Sequence, residues 1–202
     1  MQKENQSKSR LKRVLFSEIM ENCTKTQRIA YIAIMTALTC VCNMFFEFKL
    51  ADTQFSLTIF FSAMTGIIIG PLFGFVASFL GDLVGFLYNS GGFAYMPWIG
   101  LSMGVTSLLS GLVVNGFDFK FKGQIYIKLA LVSVLTFLLC TVAINTTAFW
   151  LVYNNKKVPF FAYLVTRLFV QGQIWNSLVN YTLIFLLYPL IFKIKELLEK
   201  RR

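Results

Sequence analysis

The sequence predicts an all-α integral membrane protein, a bundle of six transmembrane helices with both termini cytoplasmic. Three observations predict it. Of 202 residues, 56% are hydrophobic and only 14% charged, and mean hydropathy is +0.66; a soluble domain of this size carries about a quarter charged residues to wet its surface. Apolar runs of about 20 residues, the length that crosses a hydrocarbon core, recur along the whole chain. The basic residues are also strongly one-sided once those runs are laid out, as the positive-inside rule requires.

Reading the runs against their interruptions places spans at 29–48, 55–70, 72–89, 96–115, 129–152 and 172–192. The second is short and stops at Gly70-Pro71, because proline has no N–H for the preceding turn. The chain therefore reverses through Gly70-Pro71-Leu72-Phe73-Gly74. From Pro159 to Phe192 the sequence is predominantly apolar for over 30 residues. A straight helix of that length would run about 50 Å, well beyond the hydrocarbon core. A break near Gly172 is expected, with 160–171 a separate segment at the membrane face. In this layout Lys49, Lys156, Lys157 and Arg167 fall outside the cell, and the other fifteen of 19 basic residues fall inside. The net charge of +10 is thus mainly an orientation signal, and no nucleic-acid partner is expected. Residues 1–28 form a basic cytoplasmic arm, 29–192 the membrane domain and 193–202 a basic tail. Within the arm, 11–20 reads equally as a short helix lying on the anionic inner leaflet or as plain tail. No cleaved signal peptide is expected, since the start is polar and basic.

Much chemistry is excluded. Histidine is absent, which removes His-based metal sites and the Ser-His-Asp and Cys-His triads. Cys23, Cys40, Cys42 and Cys140 lack metal or redox spacing and read as small core residues. There is no phosphate-binding Gly-x-x-x-x-Gly-Lys-Ser/Thr, no His-Glu-x-x-His and no Gly-x-Ser-x-Gly, so neither ATP hydrolysis nor hydrolase chemistry is expected of this chain. It is not expected to be an enzyme or to bind a cofactor of its own.

Polar groups within spans are costly and each needs a reason. Asp82, in Gly81-Asp82-Leu83-Val84-Gly85, reads as a structural carboxylate or as a proton or ion carrier, the structural role being favoured. The outer half is richer. Lys49 lies in the first outer link, Tyr95 and Trp98 close the second, and Asn145 opens an aromatic third that includes Phe149 and Trp150. Gln173, Asn176 and Asn180 fall on one helical face, and Arg167 and Gln171 stand four apart. Aromatic faces with amides and cations at one membrane side suit a flat, polar heteroaromatic ligand. The same residues also suit an interfacial aromatic belt with helix–helix amide contacts. Ala30, Ala33 and Ala37 line one face of the first span, a smooth stripe fit for close helix approach or for docking another membrane protein.

Several motifs, taken in order, resemble the substrate-binding S components of energy-coupling factor (ECF) vitamin transporters, in particular their folate-family branch. They are Ala33-Ile34-Met35-Thr36-Ala37, Gly70-Pro71-Leu72-Phe73-Gly74, Gly81-Asp82-Leu83-Val84-Gly85 and Ser90-Gly91-Gly92-Phe93. Asn145-Thr146, Pro159-Phe160 and Arg167 follow downstream. The resemblance implies a six-helix bundle in a bacterial cytoplasmic membrane that captures a vitamin from outside. A membrane T component and two ATPase subunits, which use the ATP and magnesium, would drive import. It further implies that Ala33 and Ala37, with Ala30 on the same face, dock on the T component. Folate is the first substrate: a pterin stacked on Trp98 or Tyr95 and hydrogen-bonded to Asn145, its carboxylates met by Arg167, Lys49, Lys156 or Lys157. Gln171 and Asn176 complete the expected contacts. Other vitamins, such as cobalamin or a queuosine precursor, remain alternatives within the family. A stand-alone permease or channel is the alternative outside it.

Overall fold

The computed structural model of the chain describes residues 16–21, 23–50, 53–88, 94–117, 123–153 and 157–200. Those residues form α1 (Glu18–Glu21), α2 (Lys25–Phe45), β1 (Glu47–Leu50), β2 (Thr53–Ser56), α3 (Thr58–Ile69), α4 (Pro71–Tyr88) and α5 (Pro97–Gly116). A long helical rod follows: α6 (Gln124–Thr136), a π-helical stretch (Phe137–Thr146) and α7 (Thr147–Val152). Next come α8 (Phe160–Val165), a second π-helical stretch (Thr166–Val170) and α9 (Gln173–Lys200).

Among the described residues, five helical segments are long and apolar enough to cross a membrane: Lys25–Phe45, Pro71–Tyr88, Pro97–Gly116, Gln124–Val152 and Gln173–Leu197. The expected second span is not one of them. Its helix, α3, has 12 residues, about 18 Å against a core of about 30 Å. The residues before it form a hairpin instead, with β1 and β2 antiparallel and Phe48 opposite Phe55. The signal was present: two four-residue runs joined by two residues, Ala51-Asp52, the commonest hairpin spacing. The reversal at Gly70-Pro71 is as expected. Gly70 takes φ +91°, a conformation that glycine adopts without a Cβ clash, and α4 starts at Pro71. The break at Gly172 is also observed, with φ +70° separating Phe160–Val170 from α9.

The first and last long helices run beyond the expected spans, α2 starting at Lys25 and α9 running to Lys200. Thr24 starts α2 with a reciprocal capping box, its side chain accepting from the Gln27 N–H while the Gln27 side chain accepts from the Thr24 N–H. The segment before it does not lie free. Ile19 and Met20 are fully buried, packed in one cluster with Ile67, Ile68 and Ile69 of α3 and Tyr188 and Ile191 of α9. The Phe16 ring meets Phe73 at 5.3 Å. The partly apolar face of this segment thus packs on the bundle, because the Gly70 turn leaves room there for the Ser17 backbone.

Helices α3, α4 and α5 close on one another through small residues. A Cβ added to Gly66 would strike the Ser107 carbonyl, and one added to Gly111 would stand 2.7 Å from the Gly66 carbonyl oxygen and the Pro71 nitrogen. Such backbone approach is how helices associate where lipid offers no hydrophobic drive. Three buried threonine hydroxyls are satisfied within their own helices: Thr39 donates to Met35 O, Thr65 to Phe61 O and Thr106 to Ser102 O. At the α1 end, the buried Lys128 donates to Val114 O near the C-terminus of α5, where the helix dipole favours a cation.

Candidate binding site

The end of the bundle away from α1 gathers three of the seven expected binding residues, Trp98, Asn145 and Arg167, near one ring, Phe149 of α7. Trp98, in the first turn of α5, meets it edge-on with centroids 5.8 Å apart. Tyr153, one turn further along, stacks near it at 5.6 Å. The Arg167 guanidinium lies over the same ring, 3.9 Å from its centroid. Asn145, four residues before Phe149, donates from Nδ2 to the Ser102 hydroxyl at 3.0 Å. Ser102 is itself four residues after Trp98, so one face of α5 and one face of the long rod build the cluster together.

Three polar atoms of this cluster are buried without a partner: Trp98 Nε1, Asn145 Oδ1 and Arg167 Nε. Buried polar groups are almost always hydrogen-bonded, so orphans need an explanation. Arg167 is the most costly of them. Its side chain is only 7% exposed, and its polar company among the described residues is the Tyr163 hydroxyl. Asn145 and Arg167 both sit in π-helical stretches, a geometry that recurs at functional sites. The three orphans offer an indole N–H donor, an amide acceptor and a cationic donor. They complement a flat ligand with an acceptor and a donor on its edge and an anionic group beyond it.

Other expected residues stand apart from this cluster. Tyr95 does not present its hydroxyl to a ligand; it donates to Asp82 Oδ2 at 3.2 Å. Burial, and then the Asp82 carboxylate, push the phenol above its ordinary range, so it stays a donor. Asn176 and Asn180 are buried and spend their polar atoms on the hairpin junction. Asn176 Oδ1 accepts from Ser56 N at 3.0 Å, and Asn180 Oδ1 accepts from Phe60 N at 2.9 Å. Asn180 Nδ2 also donates to Ser56 O at 2.7 Å. These amides replace the ladder and helix bonds lost where β2 turns into α3. Gln171 is exposed and Arg167 buried, so the two do not share an inward face. Lys49 lies on β1 opposite Gln54, its side chain outside the described residues, as is Lys156; Lys157 is exposed. Ser102 and Tyr163 had no sequence signal beyond their helical phase.

Ala30, Ala33 and Ala37 are all exposed on α2. Ala33 and Ala37 line an apolar groove of about 600 Å³ with Ile29, Thr36, Cys40 and Leu80 among its other walls. It shares no residue with the Phe149 cluster. Among the described residues no group of His, Cys, Asp or Glu could hold a metal, and all four cysteines are free.

The sequence model of the ECF-type riboflavin transporter, S component, matches residues 23–196. The chain belongs to that family. It is therefore a membrane transporter subunit, as the motifs had suggested. The fold agrees: a crystal structure of FolT bound with folic acid superposes with a TM-score of 0.58 at 22% identity, covering 78% of this chain and 92% of that one. No curated protein matched the chain.

Proposed function

We propose that this S component captures a vitamin from outside the cell, folate first, and hands it to partner subunits for ATP-driven import. The observation that carries the substrate reading is Arg167, a buried cation over an aromatic ring with no carboxylate beside it among the described residues. A buried charge is stable only when paired, and a folate glutamate would supply the pair through a charge-assisted bond. The pterin would take the Trp98 and Asn145 orphans along its hydrogen-bonding edge. Riboflavin is the second reading, favoured by the description of the matched family. It offers a similar flat, amide-edged ring but no carboxylate for Arg167.

The remaining assignments follow from topology and surface. The one-sided basic residues support cytoplasmic termini, and with them a Phe149 cluster at the outer face of a bacterial cytoplasmic membrane. The Ala33/Ala37 groove, apolar and lipid-facing, would receive a helix of the T component. Two ATPases beneath would supply the energy, this chain binding no nucleotide.

The test is a titration of the purified chain. Tryptophan quenching by folate at micromolar levels, with riboflavin far weaker, supports the reading. Quenching by riboflavin alone transfers the site to the flavin. Uptake by this chain in vesicles without partner subunits would sink the S-component mechanism in favour of a permease.

A further inference from the structure

The buried carboxylate Asp82 is not part of the Phe149 cluster, yet its contacts lead to it. Its Oδ1 accepts from Asn43 Nδ2 at 3.2 Å, and the same Nδ2 reaches the Asp82 carbonyl at 3.3 Å. Its Oδ2 accepts from the Tyr95 hydroxyl at 3.2 Å. One carboxylate thus ties α2, α4 and the chain entering α5. The glycines around it make this possible. A Cβ at Gly85 would stand 2.9 Å from the Asn43 Cβ, and one at Gly100 would strike the Tyr95 hydroxyl and stand 3.0 Å from Asp82 Oδ2. The Gly81-Asp82-…-Gly85 pattern therefore keeps space for a polar bridge at membrane depth, where a carboxylate must be bonded.

Tyr95 is three residues before Trp98, with Pro97 between them at the first position of α5. Proline fixes φ there, which removes one of the backbone torsions between Tyr95 and Trp98. The Tyr95 ring is held from the side by Phe86 at 5.3 Å. From this geometry we infer that Asp82 is a positioning residue of the binding site: through Tyr95 it sets where the Trp98 ring stands against Phe149. The inference rests on reading Trp98 as a wall of the vitamin site, but its test separates the two.

The experiment uses the full chain in detergent with Trp150 and Trp175 changed to Phe, leaving Trp98 as the sole indole. Tyr95→Phe keeps the ring and its Phe86 contact and removes only the bond to Asp82. It should red-shift the Trp98 emission and raise its quenching by acrylamide while the thermal midpoint stays within a few degrees. In the otherwise native chain it should weaken vitamin binding about three- to tenfold, the worth of one hydrogen bond. With Tyr95 in place, Asp82→Asn, whose side chain can still bond the Tyr95 hydroxyl, should keep both signals near native, whereas Asp82→Ala should reproduce the Tyr95→Phe change. An unchanged Trp98 spectrum in Tyr95→Phe overturns the inference whether or not any vitamin binds. A shifted spectrum without any vitamin binding by the native chain upholds the positioning and rejects the function proposed above. Should Asp82→Ala fail to fold, Tyr95→Phe alone decides.

Discussion

Arg167→Met is the substitution that most sharply separates a binding cation from a structural one. Methionine keeps an unbranched apolar stem of similar reach and removes the charge. In the unliganded chain Arg167 bears a desolvation cost of several kcal/mol. Its offsets are the Phe149 ring at 3.9 Å, worth about 2 kcal/mol at most for a desolvated cation–π pair, and the neighbouring Tyr163 side chain. Replacing poorly paired buried charge by apolar volume is often stabilising by about 1–4 kcal/mol. At about 2–4 °C per kcal/mol for a chain of this size, Arg167→Met should raise the thermal midpoint of the unliganded protein by roughly 2–16 °C. Folate binding should weaken in the same variant, because a hydrogen bond to a charged group contributes about 1.5–3 kcal/mol, a ten- to 150-fold change in Kd. Riboflavin binding, if present, should change less than about threefold, since it brings no anion to the site. Differential scanning fluorimetry and tryptophan quenching in the same detergent measure both. A lower midpoint with unchanged folate affinity would refute the reasoning: Arg167 would then be a structural cation satisfied by Phe149 and Tyr163.

Three further predictions rest on separate contacts. Met20→Ala, at a fully buried position beside α3 and α9, should lower the thermal midpoint by an amount matching about 2–5 kcal/mol; a midpoint within a degree of native would mean the α1 segment is not held on the bundle. Asn180→Leu leaves the Phe60 N–H and Ser56 carbonyl without their amide partner, at about 1–3 kcal/mol for each unpaired group. It should destabilise the chain with little effect on affinity of the surviving folded fraction, as isothermal titration would measure. Ala37→Leu fills the α2 groove and should abolish co-purification with the T component and ATPases while solitary binding is retained. Equal loss of both would remove the groove from the docking assignment.

What the sequence made legible follows its physical periodicities. Gly70-Pro71 and Gly172 declared their breaks because proline and positive-φ glycine act locally, without help from distant residues. The long apolar runs declared five spans for the same reason. The short α3 did not declare itself, because hydropathy averages across β2 and α3 and sees one run where the chain changes from strand to helix. The amides were harder still. Gln173, Asn176 and Asn180 share a face, but a helical wheel cannot say whether that face meets a ligand or a neighbouring backbone. Here Asn176 and Asn180 meet Ser56 and Phe60, about 120 positions away. Arg167 and Asn145 were visible as isolated polar residues in apolar surroundings. Their meeting at Phe149 was not, since it depends on the phase of two π-helical stretches that no 3.6-residue pattern encodes.

Orphaned polar atoms occur at both ends of the bundle, with Arg28 Nε and Gln124 Oε1 toward α1 and three in the Phe149 cluster. Thr39 and Thr106 return their hydroxyls to their own helices, and Lys128 and Asn180 donate to backbone carbonyls. Ser107, whose hydroxyl lacks a partner, stands at the crossing with Gly66 and Gly74, where its small size is what the packing uses. The Phe149 cluster is different, because an indole, an amide and a guanidinium around one ring are too large and too polar to be read as spacers. At the opposite end Ile19 and Met20 fill the space beside Gly70 with apolar side chains. A self-contained channel would need polar lining through to that end. The open indole, amide and guanidinium at one end and the apolar cluster of Ile19 and Met20 at the other support the proposal that the chain binds its ligand at the first and relies on partners for delivery.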